Sequence, residues 1–362
     1  MTAPTYLPAL TGFRAVAAFL VFLFHYRTAW AWLPDWIQGP WLALSSQLNL
    51  GVSLFFTLSG FLLFRQYHQS SWPGSWVFFS RRLARIYPLL FLLTTIIFLF
   101  GQPMRTFQPE RWWTEYLFSI TLLKGFSEQY QLTGIGAAWS LTVEESFYLF
   151  LPLLIWFSHQ YKVVWWWALA GLLLVLGLGL SYLLRPWGWL ETVHFTMLGT
   201  FFGRAAEFMI GAAFARLPAG RLPYATYIGL TLLVFGTGLL IVVAHIYGVA
   251  AGIQHLAGVA INNWLLPWGT GLLLYGLATQ PTRLSRLLSS RPACILGRSS
   301  YAFYLIHLGV FSDFIQGHLH RDLPWLPPVL TLLILLIVGA VALHYLVEKP
   351  LHYALLRMLR AN

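Results

Sequence analysis

The chain has 362 residues, of which 58% are hydrophobic and only 9% charged, and its mean hydropathy is +0.68. A soluble domain carries about a quarter charged residues, so this composition excludes a soluble globular class and defines an integral membrane protein. The net charge of +11 is assigned mainly to membrane orientation, and no basic–aromatic module for nucleic acid stands out.

The apolar runs are about 17–25 residues long and do not alternate, which predicts an all-α polytopic bundle of about ten transmembrane helices rather than a barrel. They fall near 7–26, 48–66, 83–101, 142–158, 163–184, 195–215, 225–247, 257–278, 300–316 and 326–347. The whole chain, 1–362, reads as a single membrane-embedded domain without a Gly- or Ser-rich linker or an internal repeat. The first run is interrupted by Arg14 and has no Lys or Arg before it. It reads as a retained span rather than a cleaved leader.

That first span, LPALTGFRAVAAFLVFLFHY, holds Arg14 and His25. Eleven residues make about three helical turns, so both side chains share a face about 16 Å apart along the axis. Ionisable groups in a membrane helix are costly and face a protein interior or a wet cavity. The pair reads either as a snorkelling arginine and a satisfied histidine, or as an anion-binding cation and a general base on one path. The second span, with GVSLFFTLSGFLL, offers Ser53, Ser59 and Gly60, which read as small residues permitting close helix packing. Arg65 lies at its end. The run FFSRRLARIYP then groups Arg81, Arg82 and Arg85 on a helix. The bland reading is a topology signal; the functional one is phosphate binding by guanidinium forks. WWTEYLFSITLL (112–123) is too short to span and reads as an interfacial or partial helix.

AWSLTVEESFYLFLP begins the fourth span with Trp139, Ser140, Glu144 and Glu145. Adjacent helical residues point about 100° apart, so one of the two carboxylates shares a pathway with His25. The alternative is dipole stabilisation at a helix start. Arg204 and Glu207, three apart within the sixth span, read as a charge-neutralising structural pair. No charged residue occurs between Leu222 and Thr282. The ninth span opens with LGRSSYAFYLIH, bringing Tyr301, Tyr304 and His307 as candidates to line a polar cavity. Cys294 is the only cysteine, the histidines are scattered, and no metal site is expected. Neither a Walker loop nor GxSxG nor HExxH is present.

With a cytoplasmic N-terminus, 14 of the 22 Lys and Arg residues fall inside, six outside and two within spans. This predicts both termini in the cytoplasm of a cell whose inner membrane holds the protein.

In this order, LPALTGFRAVAAFLVFLFHY, GVSLFFTLSGFLL, RRLARIYPL, AWSLTVEESFYLFLP, RAAEFMIG, LGRSSYAFYLIH and LVEKP resemble the family-three membrane acyltransferases over nearly the whole length. The resemblance implies transfer of an acyl group, often acetyl, from cytoplasmic acyl-CoA to a hydroxyl of a surface glycan, lipid-linked sugar or glycosylated product. It implies His25 as the essential residue, Arg14 as its motif partner, Arg82 and Arg85 as the family's paired arginines, and Glu144 as its acidic position. Ser53 stands where that family's second motif carries an acid. The further hydrolase-like domain of some members is not among these 362 residues, so glycan-assembly or periplasmic partner proteins are expected to supply any such step.

The expected chemistry places acyl-CoA phosphates on Arg82, Arg85 and Arg65, with the donor passing Arg14. His25 deprotonates the acceptor hydroxyl and Glu144 orients the imidazole. An acyl-histidine intermediate is the open alternative. Glu145, Trp139, Ser140, Tyr301, Tyr304 and His307 are the candidates for lining the acceptor cavity. Acyl-CoA is a donor substrate, and no permanently bound cofactor is expected. The rival classes are a polytopic transporter or flippase and a non-catalytic scaffold.

Overall fold

The computed structural model describes residues 6–68, 72–100, 109–318 and 327–360. Arg105 and Arg321, two of the six cations read as lying outside, fall outside the described residues. In chain order the helices are α1 (Pro8–His25), α2 (Asp35–Ser45), α3 (Leu50–His68), α4 (Ser75–Phe100), α5 (Trp112–Ile120), α6 (Trp139–Gln160), α7 (Val164–Leu184), α8 (Val193–Gly199) and α9 (Phe201–Ala215). There follow α10 (Ala225–Ile246), α11 (Leu256–Ala260), α12 (Leu266–Thr279), α13 (Arg283–Leu288), α14 (Arg291–Arg298), α15 (Ser300–Ile306), α16 (Val310–His318), α17 (Pro328–Leu343) and α18 (Lys349–Arg360). Among the described residues there is no strand.

Among the described residues, seven stretches are long and apolar enough to cross a membrane: Pro8–His25, Asp35–His68, Ser75–Phe100, Gly136–Gln160, Val164–Trp187, Ala225–Ile246 and Pro328–Leu359. The other three predicted spans are interrupted. Thr200 is extended and separates α8 from α9. A π turn at Ile261–Leu265 joins α11 to α12. His307–Gly309 separates α15 from α16, with Gly309 at φ 85°, a left-handed conformation that suits glycine. The 112–123 segment is the nine-residue α5 followed by a turn.

The chain forms two compact units. One comprises Met1–Ser71 and Val143–Gly297, the other Trp72–Thr142 and Arg298–Asn362.

In the first unit, α3 and α9 pack with backbones in contact. A Cβ on Gly60 would overlap the Phe208 carbonyl, and one on Gly211 the Thr57 carbonyl. Only residues without side chains permit that approach. The break at Thr200 is repaired from two sides. A helix end frees carbonyls that must find partners where water is excluded. Asn263, turned inward by the π turn, donates its amide to Met197 O at 2.7 Å and Gly203 O at 3.2 Å. Arg204 donates Nε–H to Leu198 O at 2.7 Å. Its Nη1 reaches Glu207 Oε1 at 2.8 Å, and its guanidinium lies 5.3 Å from the Phe56 ring. The first turns of α1 are seated on α13 and α14. A Cβ on Gly12 would overlap Leu288 O, and one on Gly297 would overlap Thr11 O.

In the second unit, α5 docks on α4 through Trp112 Nε1–H to Phe98 O at 3.2 Å and a 2.9 Å bond between Thr95 Oγ1 and Tyr116 OH. Tyr301 of α15 donates to Ile86 O of α4 at 2.7 Å, which fixes the turn next to Arg85. A second π turn, His344–Glu348, continues α17 into α18.

Candidate active site

The candidate residues are divided between the two units. Arg14, His25, Arg65, Glu144, Glu145, Arg204 and Glu207 belong to the first; Arg82, Arg85, Trp139, Ser140, Tyr301, Tyr304 and His307 belong to the second.

In the first unit, Arg14 sits half-buried in the second turn of α1, and His25 is the last residue of that helix. The His25 ring stands edge-on to Phe24 at 5.1 Å. Arg27 closes the helix end: Nη1–H donates to Phe24 O at 2.9 Å and the guanidinium lies 5.1 Å from the Phe24 ring. A cation at a helix C-terminus interacts favourably with the backbone dipole. Trp41 of α2 donates Nε1–H to Arg27 O at 3.1 Å, so the His25 end of α1 is tied to the helix that follows.

Glu144 Oε1 accepts from Ser59 Oγ at 2.8 Å and from Tyr148 OH at 2.5 Å. Two hydroxyl donors converge on one carboxyl oxygen and fix its orientation. The sequence reading directed Glu144 to His25; its hydrogen bonds run to Ser59 and Tyr148. Ser59, read from the sequence as a packing residue, is therefore a ligand of the carboxylate. Glu145 is half-buried one position further on. Arg204 and Glu207 form the buried ion pair already described, 1% and 0% exposed. Arg65 lies half-buried in the last turn of α3.

In the second unit, Arg82 and Arg85 lie half-buried on α4, the Arg82 guanidinium 5.8 Å from the Phe78 ring. Trp139 and Ser140 open α6. Ser140 Oγ and Tyr304 OH are hydrogen-bonded at 2.9 Å, and both hydroxyls lie within reach of Ala137 O, at 3.3 and 3.2 Å. His307 is fully buried at the end of α15, where Nδ1–H donates to Tyr304 O at 2.8 Å. Its ring runs parallel to Phe303, 6.0 Å away. The candidates the structure brings together here are Ser140 and Tyr304, with His307 on the next turn of α15.

Four further polar residues carried no assigned role in the sequence reading. Tyr148 lies one turn after Glu144, a spacing that could have been read. His344 Nδ1 and Glu348 Oε2 pair at 2.9 Å across the second π turn, Glu348 being the acid of LVEKP. Lys124 is fully buried, with its ammonium on two backbone carbonyls. Nothing in an isolated lysine within a loop signals that placement. Among the described residues no cluster of three or more His, Cys, Asp or Glu could hold a metal.

The long apolar helices and the ionisable groups buried among them define a helical multi-pass membrane protein. The family is more specific. The profile described as "Acyltransferase domain" matches residues 7–345, and this chain belongs to that acyltransferase family. O-acetyltransferase OatA of Staphylococcus aureus is 25% identical over 353 residues, covering 88% of this chain and 53% of that protein. Acyltransferase MdmB of Streptomyces mycarofaciens is 31% identical over 175 residues, covering 46% of this chain and 44% of that protein. The chain thus spans about half the length of these curated relatives. No solved structure matches it.

Proposed function

We propose that this protein transfers an acyl group, acetyl in the first instance, from acyl-CoA to a hydroxyl of a carbohydrate-containing acceptor. The observation that carries the reading is the alignment of 88% of the chain with a protein named O-acetyltransferase. His25 is the proposed general base, or the nucleophile of a two-step transfer. Its place at the end of α1, with Arg27 and Trp41 fixing that turn, supports a positioned imidazole. Arg14 accompanies it on the same helix. Arg82, Arg85 and Arg65 are the proposed phosphate-binding cations for the donor, chosen for the bidentate fit of guanidinium to phosphate. Glu144, fixed by Ser59 and Tyr148, is the proposed acidic member of the site. Placement in a cell membrane with both termini cytoplasmic is part of the same proposal and rests on the asymmetry of Lys and Arg.

The test is transfer of label from radiolabelled acetyl-CoA to a crude surface-glycan extract by the purified protein and by His25→Ala. Label reaching glycan only with the unaltered protein is the expected result. Equal transfer by both rejects His25, and absence of transfer from several acyl-CoA donors rejects the activity. One observation favours a transporter instead: the broken α8–α9 segment beside a buried ion pair, a feature of carriers. That reading requires substrate to cross proteoliposomes without covalent change.

A further inference from the structure

Lys124 has 0% exposure and lies outside the seven membrane-crossing stretches, in the turn between α5 and α6. Its Nζ donates to Thr133 O at 2.7 Å and to Ile135 O at 2.6 Å. The turn around it is built to admit the ammonium. Leu122 takes φ 60° and its carbonyl accepts from Thr142 Oγ1 at 2.5 Å. Gly134 takes φ 59°, turning the chain so that the flanking carbonyls of Thr133 and Ile135 both reach Nζ. A non-glycine residue at positive φ is uncommon and persists where the surroundings over-determine it.

Burying a lysine costs free energy that two carbonyls offset only in part. Burial alone pushes its ammonium down to about 7. A neutral amine still carries two hydrogens, so both bonds survive deprotonation. An apolar side chain of the same length would fill the volume without burying a charge but would take the lysine donor away from the Thr133 and Ile135 carbonyls. Locally costly residues are expected where function requires a fixed geometry.

What Lys124 fixes is the stretch that enters α6. Ile135 O, held by Nζ, also accepts from Ala138 N at 2.9 Å. Ala137 O lies within reach of both the Ser140 and Tyr304 hydroxyls, so one of them donates to it while the other donates across the pair. The buried amine, the backbone 133–138 and the Ser140–Tyr304 pair are thus one hydrogen-bonded assembly within the second unit.

We propose that Lys124 is a positioning residue for acyl transfer: it holds residues 133–138 so that Trp139, Ser140 and Tyr304 are presented to the acceptor. This rests on the acyltransferase reading above. Loss of the clamp displaces the acceptor-facing groups and leaves binding of the acyl donor intact.

The test uses the full chain in detergent with radiolabelled acetyl-CoA and the crude glycan extract, comparing wild type, Lys124→Met and Lys124→Gln. Glutamine keeps two N–H donors on a shorter arm. Hydrogen exchange of the peptide 127–138 is measured on the same samples. In Lys124→Met, exchange of that peptide rises and the transfer rate per folded molecule falls by about tenfold or more. The acetyl-CoA KM stays within about twofold, and Lys124→Gln regains part of the rate. A Lys124→Met protein that transfers at the wild-type rate overturns the proposal, as does a loss confined to the acetyl-CoA KM. A wild type that transfers nothing rejects the acyltransferase reading itself and the positioning role with it; the exchange data then report Lys124 as a scaffold clamp only.

Discussion

Replacing Arg204 by methionine removes at least three contacts at once from a fully buried site. Glu207, 0% exposed, loses the guanidinium at 2.8 Å. Leu198 O loses the donor at 2.7 Å that repaired the end of α8, and Phe56 loses its cation. An uncompensated buried charge costs about 3–5 kcal/mol, and an unsatisfied buried carbonyl about 1–3 kcal/mol. Against a total stability of about 5–15 kcal/mol, Arg204→Met is expected to be poorly folded. The double variant Arg204→Met with Glu207→Leu removes the carboxylate as well and leaves only the carbonyl term. It should therefore recover about 3 kcal/mol relative to the single variant. The measurement is heat unfolding in detergent, followed by retention on size exclusion, for wild type, both single variants and the double. A double variant no more stable than Arg204→Met refutes the reasoning, because the cost would then lie in lost packing and not in the orphaned charge.

Two other outcomes are expected. Gly60→Ala forces α3 and α9 apart by roughly 1 Å, at an overpacking cost of about 1–3 kcal/mol that outweighs the gain in helix propensity. Gly179→Ala on α7 meets nothing within 4 Å and should stabilise, so a Gly60→Ala protein with the Gly179→Ala melting temperature contradicts the close seam. The Lys124 amine, held at about 7 in the fold against an ordinary 10.5, leaves the unfolded chain with more bound protons between those values. Stability of the second unit should rise with pH through that window, by at most about 1.4 kcal/mol per unit. Hydrogen exchange of 127–138 that slows from pH 7 to 9, once corrected for intrinsic rates, is the expected signature; its disappearance in Lys124→Met shows the source.

The long apolar runs made the helices legible, since length and hydropathy are local properties. The Arg204–Glu207 spacing likewise announced a pair on one helix face. What escaped the sequence depends on residues far apart. Ser59 reaches Glu144 across 85 positions, and its small size suggested packing, which its neighbour Gly60 does perform. The interruptions at Thr200 and His307–Gly309 lie inside apolar stretches with no proline to mark them. They are tolerated because Asn263 and Arg204, in the first case, satisfy the freed carbonyls. Lys124 looked like an ordinary loop charge because a single sequence carries no record of which carbonyls a turn will gather. For the candidate site, the sequence singled out Ser140 and Tyr304 separately, while their mutual bond depends on helices 164 positions apart.

The seat of α1 has a consequence for biogenesis. Gly12 closes on Leu288, Pro8 O lies 3.6 Å from Cys294 Sγ, and Gly297 closes on Thr11. A ribosome adding roughly 5–20 residues per second needs some tens of seconds to make the intervening chain. Throughout that interval the helix bearing Arg14 and His25 resides in the translocon or bilayer with its seam open and its arginine waiting for a finished surrounding. Packing of the first unit therefore does not follow chain order: the helix made first is among the last to be seated, because its partners at residues 288–297 are made after most of the other helices.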